Sequence, residues 1–179
     1  MIAMEIYFLR HANAGEHKLS PAKDEQRALD ELGIEQSHTV GRALAALKVK
    51  PNTIIASPLR RAQQTASIVA GEIGHKQEIV TDDALRPEAT HPQFEKLLAR
   101  YDDHEAILLA GHNPSLTLFL NQLVSGEASE AIGLKKGAIA RVDREPGQPA
   151  VLKWMMPPKA ARALQQASAK SSRPKAVSK

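Results

Sequence analysis

The sequence predicts an α/β fold, a three-layer sandwich whose mostly parallel central sheet of about six strands carries helices on both faces. Three observations predict it. Short apolar runs of strand length alternate with longer helix-like stretches, the pattern of strands joined by crossover helices. Two of those helix starts, Ser57-Pro58 and Asn113-Pro114, follow a strand almost at once, with a capping side chain ahead of a proline. The chain has 179 residues, 42% of them hydrophobic and 25% charged, enough for one globular domain with a sizeable core.

Each element has a local reason. Residues 5–9 (EIYFL) are β-branched and aromatic and read as the first strand, followed by a polar loop to about Asp24. Asp30 is placed to cap a helix to about Leu47, with Leu44 and Leu47 on its buried side. Residues 53–56 (TIIA) form the next strand, and a helix is expected from Ser57-Pro58 to about Ile73. A weak strand at 78–80 and a helix over 92–101 come next. The strongly apolar run 106–110 (AILLA) is then a strand ending in Gly111-His112, with a helix from Asn113-Pro114 to about Val124. Two late strands near 138–142 and 151–155 are separated by the turn residues EPGQP.

Composition removes several classes of function. With no cysteine there is no disulfide, thiolate metal site or cysteine nucleophile, which fits a cytoplasmic location. No run approaches the roughly 20 apolar residues of a membrane span, and the N-terminus lacks a signal-peptide pattern, so no membrane partner is expected. The net charge of +4 is unevenly placed. Lys159, Arg162, Lys170, Arg173, Lys175 and Lys179 occur with no acid among them, and without those six the body, residues 1–158, stands at −2. The chain therefore divides into a catalytic body over 1–158 and a basic tail over 159–179. Within the tail, 160–169 have helical composition and the last ten residues read as disordered. The tail reads as a solvated end. An anionic partner or a phosphoprotein is the alternative, and nucleic acid is disfavoured.

The chemistry gathers where strands end. Ligands of open α/β sheets bind beyond the carboxyl ends of the strands. Three predicted strands deliver Arg10-His11, Ser57-Pro58-Leu59-Arg60-Arg61 and Gly111-His112 to that edge. If those strands are neighbours, two arginines, two histidines and two helix N-termini converge. Helix N-termini and forked guanidinium groups suit an anion such as phosphate. A cationic neighbour also lowers the pKa of a histidine, which keeps His11 neutral and nucleophilic near pH 7.

These residues resemble the histidine phosphatase superfamily, which also contains the cofactor-dependent phosphoglycerate mutases. The resemblance rests on Leu9-Arg10-His11, on SPLRRAQQT at 57–65 and on Gly111-His112, and it spans about residues 4–158. Short length, LLAGHNPSL and KWMMPP resemble most its phosphohistidine phosphatase SixA branch. The resemblance implies that His11 is a nucleophile that becomes transiently phosphorylated, while Arg10, Arg61 and His112 hold the phosphoryl oxygens. The arginine four residues after the motif serine is the family position, so Arg61 is chosen and Arg60 is a flanking surface charge. It implies no cofactor and no metal, with which the lack of HExxH, a Cys cluster or an Asp-rich loop agrees. The expected substrate is phosphohistidine on a protein, or a small phosphorylated molecule.

Two positions depart from the family pattern. Ala12 replaces the usual glycine, which is costly only if that residue needs φ > 0. Glu88 stands one position later than the glutamate that protonates the leaving group in mutase-like members, so it is a candidate acid divided evenly with a solvated loop residue. Asn13 is a candidate phosphate contact set against a plain turn residue. His17, His38, His75, His91 and His104 lack ligand spacing and read as surface or structural. Three rivals to the phosphohistidine phosphatase reading remain: a small-molecule phosphomonoesterase on the same scaffold, a mutase, and a non-catalytic phosphate-binding module. Too few insertions are present to enclose a bisphosphate, and His11 counts against the binding module.

Overall fold

The first strand shows how the sheet is built. In β1 (Met4–Arg10), Met4, Ile6 and Phe8 enter one hydrophobic core while Tyr7 and Leu9 enter another, so the strand is buried on both faces. The same alternation runs through β2 (Thr53–Ala56), where Ile55 faces the first core and Ile54 and Ala56 the second. In β4 (Ala106–Gly111), Ile107 and Leu109 oppose Ala106, Leu108 and Ala110 in the same way. Continuous apolar runs are therefore what the centre of this sheet requires. The computed structural model describes residues 2–17 and 20–171, and the side chains of 168–171 are not among those described.

The six strands lie in the order β3-β2-β4-β1-β5-β6. The two-residue β3 (Val80–Thr81), β2, β4 and β1 are parallel. β5 (Ile139–Arg144) and β6 (Val151–Met156) complete the sheet antiparallel. The helices α2 (Glu31–Ala46), α3 (Arg60–Ile73) and α6 (Pro158–Ser171) cover one face through Val40, Leu44, Ala66, Val69 and Ala161. The other face is covered by α4 (His91–Ala99) and α5 (Ser115–Ser125), whose Phe94 and Phe119 rings stack 4.4 Å apart. A short helix, α1 (Pro21–Glu25), interrupts the loop after β1.

Most expected boundaries hold to within two or three residues, and the differences have causes. Asp30 caps α2 by accepting from the Gly33 N–H at 2.8 Å. Leu47, expected inside, is 57% exposed because it is the C-terminal cap of α2, past the last buried turn. The third helix starts at Arg60 rather than at Pro58. Ser57 is still in the sheet, its N–H bonded to the Ala110 carbonyl at 2.9 Å, and the chain needs Pro58 and Leu59 to turn away. α5 begins one residue after the expected Pro114, which is its N-terminal cap.

The basic tail begins as part of the body. Ala161 of α6 is fully buried, Arg162 pairs with Glu35 at 2.8 Å, and Gln165 donates to the Thr39 carbonyl at 2.7 Å. The expected disorder of the last ten residues falls, from 172 onward, outside the described residues. Among the described residues no helix is long and apolar enough to cross a membrane.

Helix placement fixes where a ligand can sit. β1 and β4 are neighbours, yet β1 leads to α2 on one face and β4 to α5 on the other. The chain departs in opposite directions from adjacent strand ends, which opens a crevice at the carboxyl edge of the sheet.

Candidate active site

Strand register delivers the key residues to that crevice side by side. Arg10 pairs with Gly111 across β1 and β4, and Ala56 pairs with Ala110 across β2 and β4. The next residues of the three strands are therefore His11, His112 and Ser57. The His11 N–H donates to the Gly111 carbonyl at 3.0 Å, and the His11 and His112 rings stand 4.9 Å apart. Arg61 reaches the same place from the first turn of α3.

A cavity of about 430 Å³ opens here, lined by Arg10, His11, Arg61, His112 and Glu88 among others. His11, Arg61 and His112 are 6%, 4% and 1% exposed. The His11 Nδ1 lies 2.7 Å from the Ala12 carbonyl, an acceptor only, so Nδ1 carries the proton and Nε2 keeps its lone pair. Arg10 donates from Nη1 to the Leu134 carbonyl at 2.8 Å, and Arg61 from Nη1 to the Asp24 carbonyl at 2.9 Å. Beyond those anchors, Arg10 Nε, Arg61 Nε and His112 Nδ1 are buried without a hydrogen-bond partner among the described residues. Three unpaired buried nitrogens in one site are costly, at about 1–3 kcal/mol each. An anion that accepted from them would offset that cost.

Burial keeps both histidines neutral. It pushes the His11 imidazole down to about 3, helped by the charges of Arg61, Arg10 and Arg27 and opposed by the bond to Ala12. His112 falls to about 2, again chiefly through burial, then through His11 and the same arginines. The sequence reading assigned this effect to the adjacent Arg10; desolvation outweighs it, and Arg61 precedes Arg10.

A pH dependence of stability follows. Unfolded histidine takes up a proton near pH 6.5, whereas these two stay neutral in the fold until far lower pH. The penalty is absent above 6.5, grows as pH falls and levels off only below the folded values. It should amount to about 2 kcal/mol per histidine at pH 5 relative to pH 7. Urea unfolding at the two pH values measures it. Replacing both histidines by asparagine should flatten the difference, and an undiminished difference in that variant would contradict the assignment.

The turn after His11 is rigidly held. The Ala12 N–H donates to Thr65 Oγ1 at 3.1 Å, and Thr65 in turn donates to the Arg61 carbonyl at 2.7 Å. Lys48 is the one described non-glycine residue with positive φ, so the Cβ of Ala12 meets no backbone strain. Gly33 in α2 lies so close that a Cβ there would come within 1.8 Å of the Asn13 carbonyl oxygen. Asn13 is not brought together with the others. Its amide donates to Asp30 at 2.6 Å and accepts from Lys136 at 3.3 Å, and it does not line the cavity. Glu88 does line it, as an exposed side chain. Arg60 is exposed on α3, as expected of a flanking charge.

Several wall residues escaped the sequence reading. Asp24 on α1 lies 3.4 Å from Arg61 and 2.9 Å from Arg27, while the exposed His17 stands 3.0 Å from it. Arg86 reaches Glu25 and Asp83, both at 2.7 Å. Arg86 could have been noticed, since it stands two residues before Glu88 in the same loop. Arg27 and Asp24 had no motif to mark them, because their roles depend on where the loop after β1 folds back.

A doubly wound sheet whose carboxyl edge holds a neutral, oriented histidine among buried guanidinium groups defines a protein that handles phosphoryl groups. The chain belongs to the histidine phosphatase superfamily. The family model of branch 1 matches residues 6–90. An uncharacterized protein of Picosynechococcus is 31% identical over 139 residues, covering 76% of this chain and 82% of that one. The phosphohistidine phosphatase SixA of Escherichia coli is 25% identical over 161 residues, covering 87% and 94%. Among solved structures, a protein histidine phosphatase SixA complexed with tungstate superposes with a TM-score of 0.78 at 23% identity, over 87% of this chain and 98% of that one. Membership in this superfamily supports phosphatase activity on a phosphorylated substrate, protein or small molecule.

Proposed function

We propose that the chain is a phosphatase that removes phosphate from phosphohistidine on a protein, through a phosphohistidine intermediate on His11 and without a metal. The observation that carries the reading is the neutral His11, its Nδ1 held by the Ala12 carbonyl, amid the unpaired nitrogens of Arg10, Arg61 and His112. In the first step the Nε2 lone pair of His11 attacks phosphorus in line with the leaving group. The P–N bond to the substrate breaks, and the departing imidazole leaves with the electron pair and takes a proton from solvent. Arg10, Arg61 and His112 stabilise the charge on the equatorial oxygens. In the second step water attacks the phosphorus, the bond to His11 breaks, and inorganic phosphate leaves with the neutral imidazole restored.

Similarity to SixA over most of the chain supports a protein substrate, as does the short chain between the motifs, which leaves little material for a lid. Glu88 gives a specific ground for a second reading, the small-molecule phosphomonoesterase. A carboxyl group in the cavity wall is what an alkoxide leaving group requires, because it must receive a proton as the P–O bond breaks. One experiment tests both. The protein in EDTA is offered a phosphohistidine-bearing protein beside sugar and nucleotide phosphates, with Glu88→Gln run in parallel. The proposal expects preferred release from the phosphohistidine protein and at most a few-fold loss in Glu88→Gln on it. Preference for a phosphomonoester with a loss of about 100-fold or more in Glu88→Gln would establish the second reading instead.

A further inference from the structure

Ser57 is completely buried, and its Oγ lies 2.9 Å from His112 Nε2. Ser57 and His112 follow the ends of the adjacent strands β2 and β4, the register placing Ser57 beside Gly111, one residue before His112, with the Ser57 N–H fixed on the Ala110 carbonyl. The contact is thus set by the sheet itself. The Leu59 N–H donates to the same oxygen at 3.3 Å.

Two proton arrangements fit that distance. If His112 donated from Nε2, the Ser57 hydroxyl proton would need an acceptor. The contact to Leu59 offers another donor, and no acceptor for this hydroxyl other than His112 Nε2 stands among the described hydrogen bonds. If the hydroxyl donates to Nε2 instead, Ser57 is fully satisfied. A neutral imidazole carries one proton, so that proton is on Nδ1, the nitrogen of His112 that has no partner. We infer that Ser57 is a positioning residue that holds His112 in its Nδ1–H tautomer, making the ring a hydrogen-bond donor to a phosphoryl oxygen.

This rests on the phosphoryl-binding reading of the site, but its test reads the ring directly. In protein carrying ¹⁵N-labelled histidine, the His112 signals are those missing from His112→Asn. At pH 7 the wild type should show a protonated Nδ1 and a bare Nε2. Ser57→Ala should convert His112 to the other tautomer or to a mixture, and Ser57→Thr should restore it. Turnover of an aryl phosphate and inhibition by orthovanadate should weaken by about 10- to 100-fold in Ser57→Ala, the range for outer partners of a functional histidine, and recover in Ser57→Thr. A proton on Nε2 in the wild type would overturn the inference without help from any variant. So would a Ser57→Ala protein whose His112 tautomer is unchanged, whatever its activity. A wild type that lacks phosphatase activity would sink the proposed function and leave the tautomer measurement intact.

Discussion

Replacing His11 by alanine should abolish turnover, with a fall of more than about 10⁴-fold in kcat, because His11 presents a buried, neutral lone pair oriented by its bond to the Ala12 carbonyl at the phosphate-binding nitrogens. His112 is close, but its Nε2 is taken up by Ser57. Arg10 and Arg61 are cations with no lone pair to offer. The substitution should leave anion binding largely in place, because the three unpaired nitrogens belong to other residues. Turnover of an aryl phosphate and binding of orthovanadate to the same preparation separate the two effects. Labelling quenched in alkaline detergent adds a third measurement: wild type should trap an alkali-stable, acid-labile phosphoprotein, and His11→Ala should not. Residual activity above about one-hundredth of wild type would place the nucleophile elsewhere. Equal vanadate binding in two proteins that both lack turnover would favour the phosphate-binding module.

The alternation of cores along β1 explains why the fold was legible. A strand buried on both faces must be apolar where it is buried, and residues 6–9, 54–56 and 106–110 are. The convergence of Arg10, His11, Arg61 and His112 was legible for a related reason. Each stands at the end of a strand, immediately after one, or in the first turn of the following helix, so sheet order alone brings them together. What the sequence did not reveal lies in loops that fold back over the edge. Asp24, itself paired with Arg27, meets Arg61 only because α1 folds back to the wall of the cavity, and no local pattern encodes that path. Asn13 shows the opposite failure. Its distance along the chain from His11 suggested a phosphate contact, but Asp30, 17 residues away, claims its amide. Ser57 also illustrates the point. The motif reads as a helix cap, yet the strand holds Ser57 in the sheet and turns its hydroxyl to His112.

Arg61→Ala is the second large effect expected, a fall in kcat of about 10²- to 10³-fold, the loss seen when one preorganised donor to a developing charge is removed. Arg61 is suited to that part because it is 4% exposed and already fixed at one end, with Nη1 on the Asp24 carbonyl and Nε unpaired. A side chain held in this way needs no reordering as charge develops on the phosphoryl oxygens. Arg61→Lys should recover only part of the loss, since an ammonium supplies charge without the planar fork. The fold should tolerate the alanine, because Asp24 keeps its contacts with Arg27 and His17. Thermal unfolding checks that the loss is not one of structure. Arg60→Ala is the sharpest comparison: it removes the same charge one residue away, from an exposed position on the same helix, and should leave kcat unchanged. A larger loss in Arg60→Ala than in Arg61→Ala would mean that the wrong arginine of the pair has been placed at the phosphate. Equal, small losses would mean that the long-range field of the helix end, rather than a fixed donor, stabilises the transition state.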